Sequence, residues 1–351
     1  VTSLRDDRWP AVEPSHQAAL LGRQPCWSDV RGQVTAKRAL EVAAAGGHNV
    51  LLSGTPGCGK TMLARRLPGI LPPLDDAEAL TVSKIHSVAG LLPRGVGLMR
   101  VRPFRAPHHT GSTVSLVGGG ATPRPGEVSL AHGGVLFLDE LPEFPRQVIE
   151  SLRQPLEDGA ITIARTRQVV RFPSAVMLVA ALNPCPCGWF GSVHHPCRCA
   201  PSSVERYRGR LSGPLLDRID IQVELLPLPP RLLRDAASGE TSDIVRQRVS
   251  AARSRQQERY AEIGGGTNAT VPMARLRQLM PMAAAVHDRL LRAIETFGLS
   301  PRAHDRIWRV ACSVADLAQA NEIDAGHLAE ALQYRAFDRL SQQQAATDLV
   351  G

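Results

Sequence analysis

Aromatic side chains are scarce in this sequence, since Phe, Trp and Tyr together make up 4% of its 351 residues. This scarcity argues against base stacking as the main source of any affinity for nucleic acid and favours contacts along a phosphate backbone. Long apolar segments are also missing, because the longest uncharged apolar run is residues 175–182. A helix that crosses a bilayer needs roughly 20 apolar residues, so we expect no membrane partner.

Acidic residues are absent from two long stretches, residues 79–126 and 159–204. The chain carries a formal net charge of +8, and these two stretches account for the excess of basic residues. Such a concentration of positive charge favours a polyanion, such as DNA, as a partner. The alternatives are a solvated basic face, or cations that pair only with the phosphates of a nucleotide. The cations in the two stretches are Lys84, Arg94, Arg100, Arg102, Arg105, Arg124, Arg165, Arg167, Arg171 and Arg198.

The sequence has seven cysteines and no secretory signal, which favours a reducing, cytoplasmic location. Cys185, Cys187, Cys197 and Cys199 form the pattern C-x-C-x₉-C-x-C. Four thiolates suit tetrahedral Zn²⁺, so we predict a structural zinc clip with no catalytic role. Free or packed cysteines remain the alternative.

Residues 54–61 read GTPGCGKT and fit G-x-x-x-x-G-K-[ST], the pattern of a phosphate-binding loop. In such a loop Lys60 supplies a charge for the β and γ phosphates of ATP, and the Thr61 hydroxyl is a ligand for Mg²⁺. A chance match in a glycine-rich turn is the alternative. Cys58 within the loop predicts that thiol alkylation impairs ATP binding. The expected nucleotide contacts are Gly54, Thr55, Pro56, Gly57, Cys58, Gly59, Lys60, Thr61 and Met62.

Two further stretches supply polar residues at strand ends. Residues 134–140 read GVLFLDE, an apolar strand that ends in Asp139, a candidate Mg²⁺ ligand, and Glu140, a candidate general base. The apolar strand 175–182 ends at Asn183, whose amide is suited to orient the attacking water or contact the γ phosphate. A plain turn residue before a proline is the alternative for Asn183.

Arginines in the second half of the chain are candidates for phosphate contacts. Arg218 is suited to reach the γ phosphate of a neighbouring subunit, with an ion pair in its own chain to Asp217 or Asp220 as the alternative. Arg302 lies on one helical face with Arg306 and Arg309. One of these three is expected to reach the nucleotide, unless the three form an exposed cationic stripe.

Composition divides the chain into three parts, because residues after about 230 are typical of helices only. Four helices are expected there, at about 242–262, 284–297, 301–317 and 324–340. Within the middle part, apolar strands such as 48–53 alternate with helices expected at 33–45 and 145–159, and three further segments interrupt this alternation. The predicted parts are an N-terminal arm 1–27, an α/β core 28–229 and a helical domain 230–345, with an insertion at 90–126, a β-hairpin at 160–172 and a Cys-rich loop at 184–200.

Four stretches together resemble the Mg-chelatase-like AAA+ ATPases of the ComM/YifB family, namely RPFRAPHHT, GGGATPRPGEVSLAHGGVLFLDELPEF, NPCPCG and RLSGPLLDRIDI. The resemblance covers about residues 28–339. It implies an α/β fold, an AAA+ P-loop ATPase core with a parallel sheet and flanking helices, a helix-2 insert and a pre-sensor-1 hairpin, followed by an all-α lid. It also implies self-association into a ring, expected to be a hexamer, with ATP between subunits.

The same resemblance assigns roles to single residues. It implies that Asp139 and Glu140 form the Walker B pair, Asn183 the first sensor, Arg218 the arginine finger and Arg302 the second sensor. The insert and the hairpin would face a central pore. The expected DNA contacts are Arg102, Arg105, His108, His109, Arg124, Arg165 and Arg167.

In the ComM type, this machinery is linked to ATP-driven branch migration of DNA during natural transformation. The leading hypothesis is therefore an ATP-hydrolysing motor that acts on DNA. The alternatives are a chelatase-type ATPase that remodels a protein partner for Mg²⁺ insertion into a tetrapyrrole, and an assembly scaffold with little turnover. Family members typically begin with a domain that resembles the C-terminal fold of Lon protease, which is not found in this sequence, so a shortened version is expected.

Overall fold

The computed structural model describes residues 25–93, 95–165, 168–192, 195–211, 213–228 and 239–335. The strands are β1 Val50–Gly54, β2 Phe104–Arg105, β3 Gly118–Gly119, β4 Arg124–Pro125, β5 Val135–Leu138, β6 Ala160–Arg165, β7 Gln168–Pro173, β8 Met177–Leu182 and β9 Ile221–Leu225. The helices of the first part are α1 Val34–Gly46, α2 Lys60–Arg66, α3 Asp76–Val88, α4 Thr113–Val117, α5 Glu127–Leu130, α6 Arg146–Ser151, α7 Arg153–Asp158, α8 Pro201–Arg208 and α9 Gly213–Leu216. The helices of the last part are α10 Ser242–Tyr260, α11 Met273–Leu279, α12 Ala284–Thr296, α13 Pro301–Leu317 and α14 Ala325–Gln333.

A five-stranded parallel sheet in the order β2-β5-β8-β1-β9 forms the centre of the fold. Every residue of β1, β5 and β8 is buried, as expected for parallel strands with both faces covered. Because all five strands run the same way, the segments that follow β1, β5 and β8 emerge at one carboxyl edge. The predicted α/β class and parallel sheet are confirmed.

The two faces of the sheet pack into different hydrophobic clusters, because side chains alternate along a strand. Leu52 faces a cluster that also contains Val245 of α10 and Ile307 of α13. Leu51 faces a second cluster that contains Leu116 of the insertion and Ile163 of the hairpin. The helical domain therefore shares its hydrophobic core with one face of the sheet.

The last part of the chain is helical, as predicted, and it contains one helix more than expected. Helix α13 has the predicted bounds, and its buried face includes Ile307 and Trp308. The short helix α11 was not predicted, and it is held by burial of Leu276. No helix in the described ranges is long and apolar enough to cross a membrane.

The insertion contains a short helix and a two-stranded ribbon, β3 paired with β4. The predicted hairpin is confirmed as β6 and β7, which are antiparallel. Ala160–Arg165 of β6 pair with Gln168–Pro173 of β7. A methyl group added to Gly118 of β3 would lie 3.3 Å from Cδ1 of Ile163 in β6. The insertion and the hairpin are therefore neighbours on one face of the molecule.

Two local features differ from the sequence prediction. The helix expected from Pro145 to Gly159 is divided into α6 and α7 near Leu152. Pro155 has no N–H to donate to the carbonyl of Ser151, and its ring opposes a regular helical turn. Trp27 was placed in the N-terminal arm by composition, but it is 2% exposed, and its backbone N–H donates to the Ser242 hydroxyl of α10.

Candidate nucleotide-binding site

The phosphate-binding loop connects β1 to α2 at the carboxyl edge of the sheet. Gly57 and Gly59 adopt φ values of 79° and 101°, a backbone region that side chains disfavour, and the space in front of both is open. Gly54 is required for another reason, since a methyl group there would lie 2.6 Å from the Leu225 carbonyl oxygen of β9. The loop is thus shaped by backbone conformation at two glycines and by close packing at the third.

The Lys60 ammonium group lies behind this loop and is mostly buried. It donates hydrogen bonds to the carbonyl oxygens of Gly54 at 2.5 Å and Thr55 at 3.1 Å, and to Oδ1 of Asn183 at 3.1 Å. Burial lowers the pKa of Lys60. Within the described ranges, no carboxylate forms an ion pair with this ammonium group, so its charge is available for an anion. A triphosphate fits this environment.

Thr61 and Asp139 meet at the start of α2. The Thr61 hydroxyl donates to Oδ2 of Asp139 at 2.7 Å, and Oδ1 of Asp139 accepts the Glu140 N–H at 3.0 Å. A hydroxyl and a carboxylate are the oxygen ligands that Mg²⁺ prefers, and this pair fits a single Mg²⁺. Glu140 follows with φ 52° and an exposed side chain, so its carboxylate is accessible to water.

The segment after Asn183 lies against the phosphate-binding loop. Sγ–Sγ distances are 3.4 Å from Cys185 to Cys187 and 3.7 Å from Cys197 to each of these two. The sulfur of Cys199 lies within 4.8 Å of the other three. Sulfur atoms around a tetrahedral Zn²⁺ are separated by about 3.8 Å, given a Zn–S bond of about 2.3 Å. The four sulfurs are therefore close enough together to hold one metal ion, and the spacing of the cysteines in the sequence had indicated this group.

Gln33 is a site residue that sequence reasoning missed, because it was placed at the start of a helix. Its Nε2 donates to the carbonyl oxygens of Cys58 at 2.9 Å and Leu226 at 2.8 Å, and its φ is 51°. It thereby ties the segment before α1 to the phosphate-binding loop and to the end of β9. No local pattern could have indicated this, since both partners are backbone groups far away in the sequence.

The candidate arginines lie at the opposite, amino edge of the sheet. Asn49, which precedes β1, donates to the Arg218 carbonyl oxygen at 3.0 Å. Five residues of β1 separate this edge from the phosphate-binding loop, a distance of about 16 Å at the usual rise of a strand. Arg218 and Arg302 therefore lie far from the phosphate-binding loop of their own chain.

These arginines line a cavity of about 420 Å³. Arg218 forms an ion pair with Glu157 of α7 and not with Asp217 or Asp220, the two partners considered as the alternative to a role in the neighbouring subunit. Asp217 instead pairs with Arg302, and the buried Asp220 pairs with Arg306 at 2.8 Å. Arg309 donates to the Asn268 carbonyl oxygen at 2.6 Å, which excludes a simple solvated stripe.

Arg218 retains capacity for another acceptor. Burial, followed by the nearby guanidinium groups of Arg153, Arg306 and Arg302, lowers its pKa. Its Nε is buried, and no partner for it is found among the residues that the structure describes. A crowded guanidinium with an unused donor is suited to an anion that arrives from outside the chain.

The residues expected to contact DNA have different environments. Arg102 donates to Glu78 and to the Gly133 carbonyl oxygen, and Arg105 forms a bidentate pair with Glu127 at 2.6 and 2.7 Å. These contacts anchor the insertion to α3 and α5. His108 and Arg124 are exposed, whereas His109 lies 3.7 Å from the Glu140 carboxylate. The Arg165 side chain and all of Arg167 lie outside the described part.

Comparison with known proteins identifies the family. The family model described as magnesium chelatase, subunit ChlI, matches residues 26–232, and that of its C-terminal part matches residues 239–335. The chain is 47% identical over 315 residues to YifB of Escherichia coli (strain K12), covering 89% of this chain and 61% of YifB. It is 47% identical over 323 residues to the competence protein ComM of Haemophilus influenzae, covering 90% of this chain and 61% of ComM.

A more distant relative is the magnesium-chelatase 67 kDa subunit of Heliobacterium mobile, 29% identical over 184 residues, or 44% of this chain and 27% of that protein. The chain spans about three fifths of the length of YifB and ComM. The family matches include both the phosphate-binding loop and the helical domain. We conclude that the chain belongs to the magnesium chelatase ChlI family, among the Mg-chelatase-like AAA+ ATPases that include ComM and YifB.

Proposed function

We propose that this protein is a Mg²⁺-dependent ATPase that forms a ring and drives branch migration or unwinding of DNA. The observation that carries the ATPase part is the group formed by Lys60, Thr61, Asp139 and Asn183 at one edge of the sheet. The similarity to the competence protein ComM supports DNA as the substrate. The two acid-free segments that meet at Gly118 and Ile163 support a basic surface for that substrate.

In this proposal, different residues of the chain bind the phosphates, hold Mg²⁺ and activate the attacking water. Lys60 and the loop amides bind the phosphates, while Thr61 and Asp139 hold Mg²⁺, which supplies positive charge beside the β and γ phosphates. Glu140 accepts a proton from the attacking water, and Asn183 orients that water. Val34, Met62 and Leu226 have exposed apolar side chains that could contact the adenine base. Their segments lie close together, because Gln33, next to Val34, donates hydrogen bonds to the phosphate-binding loop and to Leu226.

The ring explains why arginines lie at the edge opposite the phosphate-binding loop. If the amino edge of one subunit faces the carboxyl edge of the next, Arg218 and Arg302 approach the neighbour's γ phosphate. Arg218 would then exchange Glu157, whose side chain is 59% exposed, for that phosphate. We expect a hexamer, with the insertion and the hairpin at its central pore.

The four cysteines are proposed to hold one structural Zn²⁺. Their sulfur separations fit a tetrathiolate site, and the Phe190 N–H donates to Cys185 Sγ at 3.3 Å, as amides commonly do to metal-bound thiolates. The metal takes no part in phosphate chemistry in this proposal, because the Mg²⁺ ligands are separate residues.

The test is steady-state ATP hydrolysis with and without single-stranded and four-way-junction DNA, with Lys60→Ala as the blank. DNA should stimulate hydrolysis, and the four-way junction should be resolved only when ATP is present. An equal rate of ATP hydrolysis with and without DNA would reject the DNA motor and favour the chelatase-type alternative, which the ChlI family model supports. Absence of hydrolysis in a chain that binds ATP would favour a scaffold.

A second test addresses the basic surface. Arg165→Ala with Arg167→Ala, and separately Arg124→Ala, should weaken DNA binding and reduce its dependence on salt, while ATP binding is retained. Arg246→Ala is the matched control, because Arg246 of α10 is partly exposed, pairs with Asp243 one helical turn away and lies in the helical domain. Equal DNA affinity in all of these variants would reject the pore assignment.

A further inference from the structure

The Cys-rich loop touches the phosphate-binding loop directly. Gly188, which follows Cys187, has φ 82°, and a methyl group built on it would lie 2.6 Å from Cγ of Pro56. The backbone of the loop is therefore in van der Waals contact with a residue that shapes the phosphate cradle. Only glycine allows this approach without displacing one of the two loops.

The same turn begins at the residue that contacts Lys60. Asn183 accepts a hydrogen bond from the Lys60 ammonium group, and its Cγ lies 3.9 Å from the methyl position on Gly188. Cys185 is fully buried two residues after Asn183, and the Gly188 N–H donates to the Cys185 carbonyl oxygen at 2.9 Å. One tight turn thus contacts the cradle at Pro56 and positions the sensor amide.

Outside the thiolates, the described part of this turn is held by polar and ring contacts and buries few apolar side chains. The Arg208 guanidinium donates to the Pro184 carbonyl oxygen at 3.3 Å and lies over the Phe190 ring at 4.9 Å. A loop of this length with few buried apolar side chains loses considerable conformational entropy when it is ordered. Metal binding to four thiolates is a bond strong enough to offset that loss.

We propose that the Zn²⁺ held by the four thiolates regulates the nucleotide site, because it fixes the turn that packs on Pro56 and orients Asn183. This inference rests on the proposed zinc and ATP sites and adds a coupling between them. Zinc loading raises the affinity for ATP, and by thermodynamic linkage ATP raises the affinity for zinc by the same factor. The metal is therefore a positive effector of ATP binding with no contact to the phosphates.

The first experiment measures both sides of this linkage on the whole chain. Zinc per chain is measured by elemental analysis, and ATP affinity is then measured with a non-hydrolysable analogue on zinc-loaded, chelator-stripped and reloaded protein. Stripping should weaken nucleotide binding by roughly tenfold, and reloading should restore it. In equilibrium competition against a chelator, the analogue should strengthen zinc binding by a similar factor in the native chain and leave it unchanged in Lys60→Ala.

Variants separate the coupling from simple loss of the fold. Cys187→Ser with Cys197→Ser should lose zinc and the tetrahedral Co²⁺ spectrum, whereas Cys26→Ser is the matched control and should retain both. Gly188→Ala should keep one zinc per chain but bind the analogue roughly tenfold more weakly, since its methyl group would displace Pro56. This last variant keeps all four thiolates, so a folding defect in the cysteine variants does not decide the outcome.

Each failure has its own reading. Protein purified under reducing, chelator-free conditions that contains no zinc would overturn the metal site and leave the ATPase proposal intact. Zinc at one per chain with equal nucleotide affinity before and after stripping would overturn the coupling alone. A native chain that binds no nucleotide in either state would overturn the proposed ATPase function itself.

Discussion

The buried carboxylate of Asp220 accepts a hydrogen bond from Arg306 of α13 at 2.8 Å, across the boundary between the sheet and the helical domain. The same carboxylate contacts Nδ1 of His48 at 3.1 Å. Burial alone would raise the pKa of Asp220, but Arg306 and His48 lower it to about 2. An aspartate with a lowered pKa stabilises the fold above its unfolded pKa and loses that contribution as pH falls through the folded value.

Asp220→Asn should therefore destabilise the protein at pH 7 by about 3 kcal/mol, because it leaves Arg306 without its buried partner. The difference in the free energy of unfolding between this variant and the native chain should be largest above about pH 5 and should become smaller between about pH 4 and pH 2. Urea denaturation over this pH range measures it. Asp217→Asn is the control and should cost less than about 1 kcal/mol, since its pair with Arg302 is exposed. A gap that is constant with pH would contradict this assignment.

Glu140→Gln should reduce ATP hydrolysis by about 10²-fold or more while ATP binding is retained, because the amide cannot accept a proton from water. Glu143→Gln is the matched control, since Glu143 lies one turn later and pairs with Arg210 at 3.2 Å. Comparison of kcat with analogue affinity in the two variants gives the result. Equal loss of activity in both would exclude Glu140 as the general base.

Asn183→Asp should weaken ATP binding more than Asn183→Ala does. The new carboxylate would pair with Lys60 and would also repel the phosphates, whereas alanine removes only the hydrogen bond at 3.1 Å. Analogue titrations at low and high salt measure the difference, which should narrow as salt rises. The reverse order would show that Asn183 does not adjoin the phosphates.

Arg218→Ala subunits mixed with Glu140→Gln subunits should recover part of the hydrolysis that each variant lacks alone. The recovery follows if Arg218 acts on the neighbour's site, because a mixed interface then combines an intact arginine with an intact glutamate. Hydrolysis measured across mixing ratios tests this. Rings that mix, as shown by exchange of labelled subunits, without recovery would indicate that the pair with Glu157 is the only role of Arg218.

Cys58 should react slowly with iodoacetamide, in contrast to the expectation from sequence alone. It is 6% exposed, and burial raises its pKa. The hydroxyl of Ser28 and the amide of Ser242 lower the pKa of Cys26 to about 7, so the Cys26 thiolate should be alkylated before Cys58 near neutral pH. Mass spectrometry of tryptic peptides gives the order. Faster labelling of Cys58 would mean that the phosphate-binding loop opens readily.

Local pattern was sufficient for the centre of this fold. Buried parallel strands are continuous apolar runs, so β1, β5 and β8 could be identified, and the sequence motifs indicated the polar residues that follow them. The prediction of one continuous helix from Pro145 to Gly159 was wrong, because the apolar pattern is regular and only Pro155 divides α6 from α7. The spacing of the four cysteines also indicated that they lie together in a group that could hold a metal ion.

Contacts between distant segments could not be derived in this way. Arg218 pairs with Glu157, a residue 61 positions away, whereas sequence proximity had suggested Asp217 and Asp220. Arg102 and Arg105 were assigned to DNA because of the charge of their segment, and that charge gives no information about the carboxylates of α3 and α5. The Gln33 side chain donates to two backbone carbonyls, which leave no trace in side-chain patterns.

The hydrophobic cluster that joins Leu52 of β1 to Ile307 of α13 has a consequence for how the chain can be divided. A change in composition near residue 230 suggests a natural place to cut, yet a cut there would expose apolar surface on both pieces and separate Arg306 from Asp220. We expect that neither fragment folds alone and that co-expressed fragments reassemble. The boundary in composition is therefore not a boundary in folding.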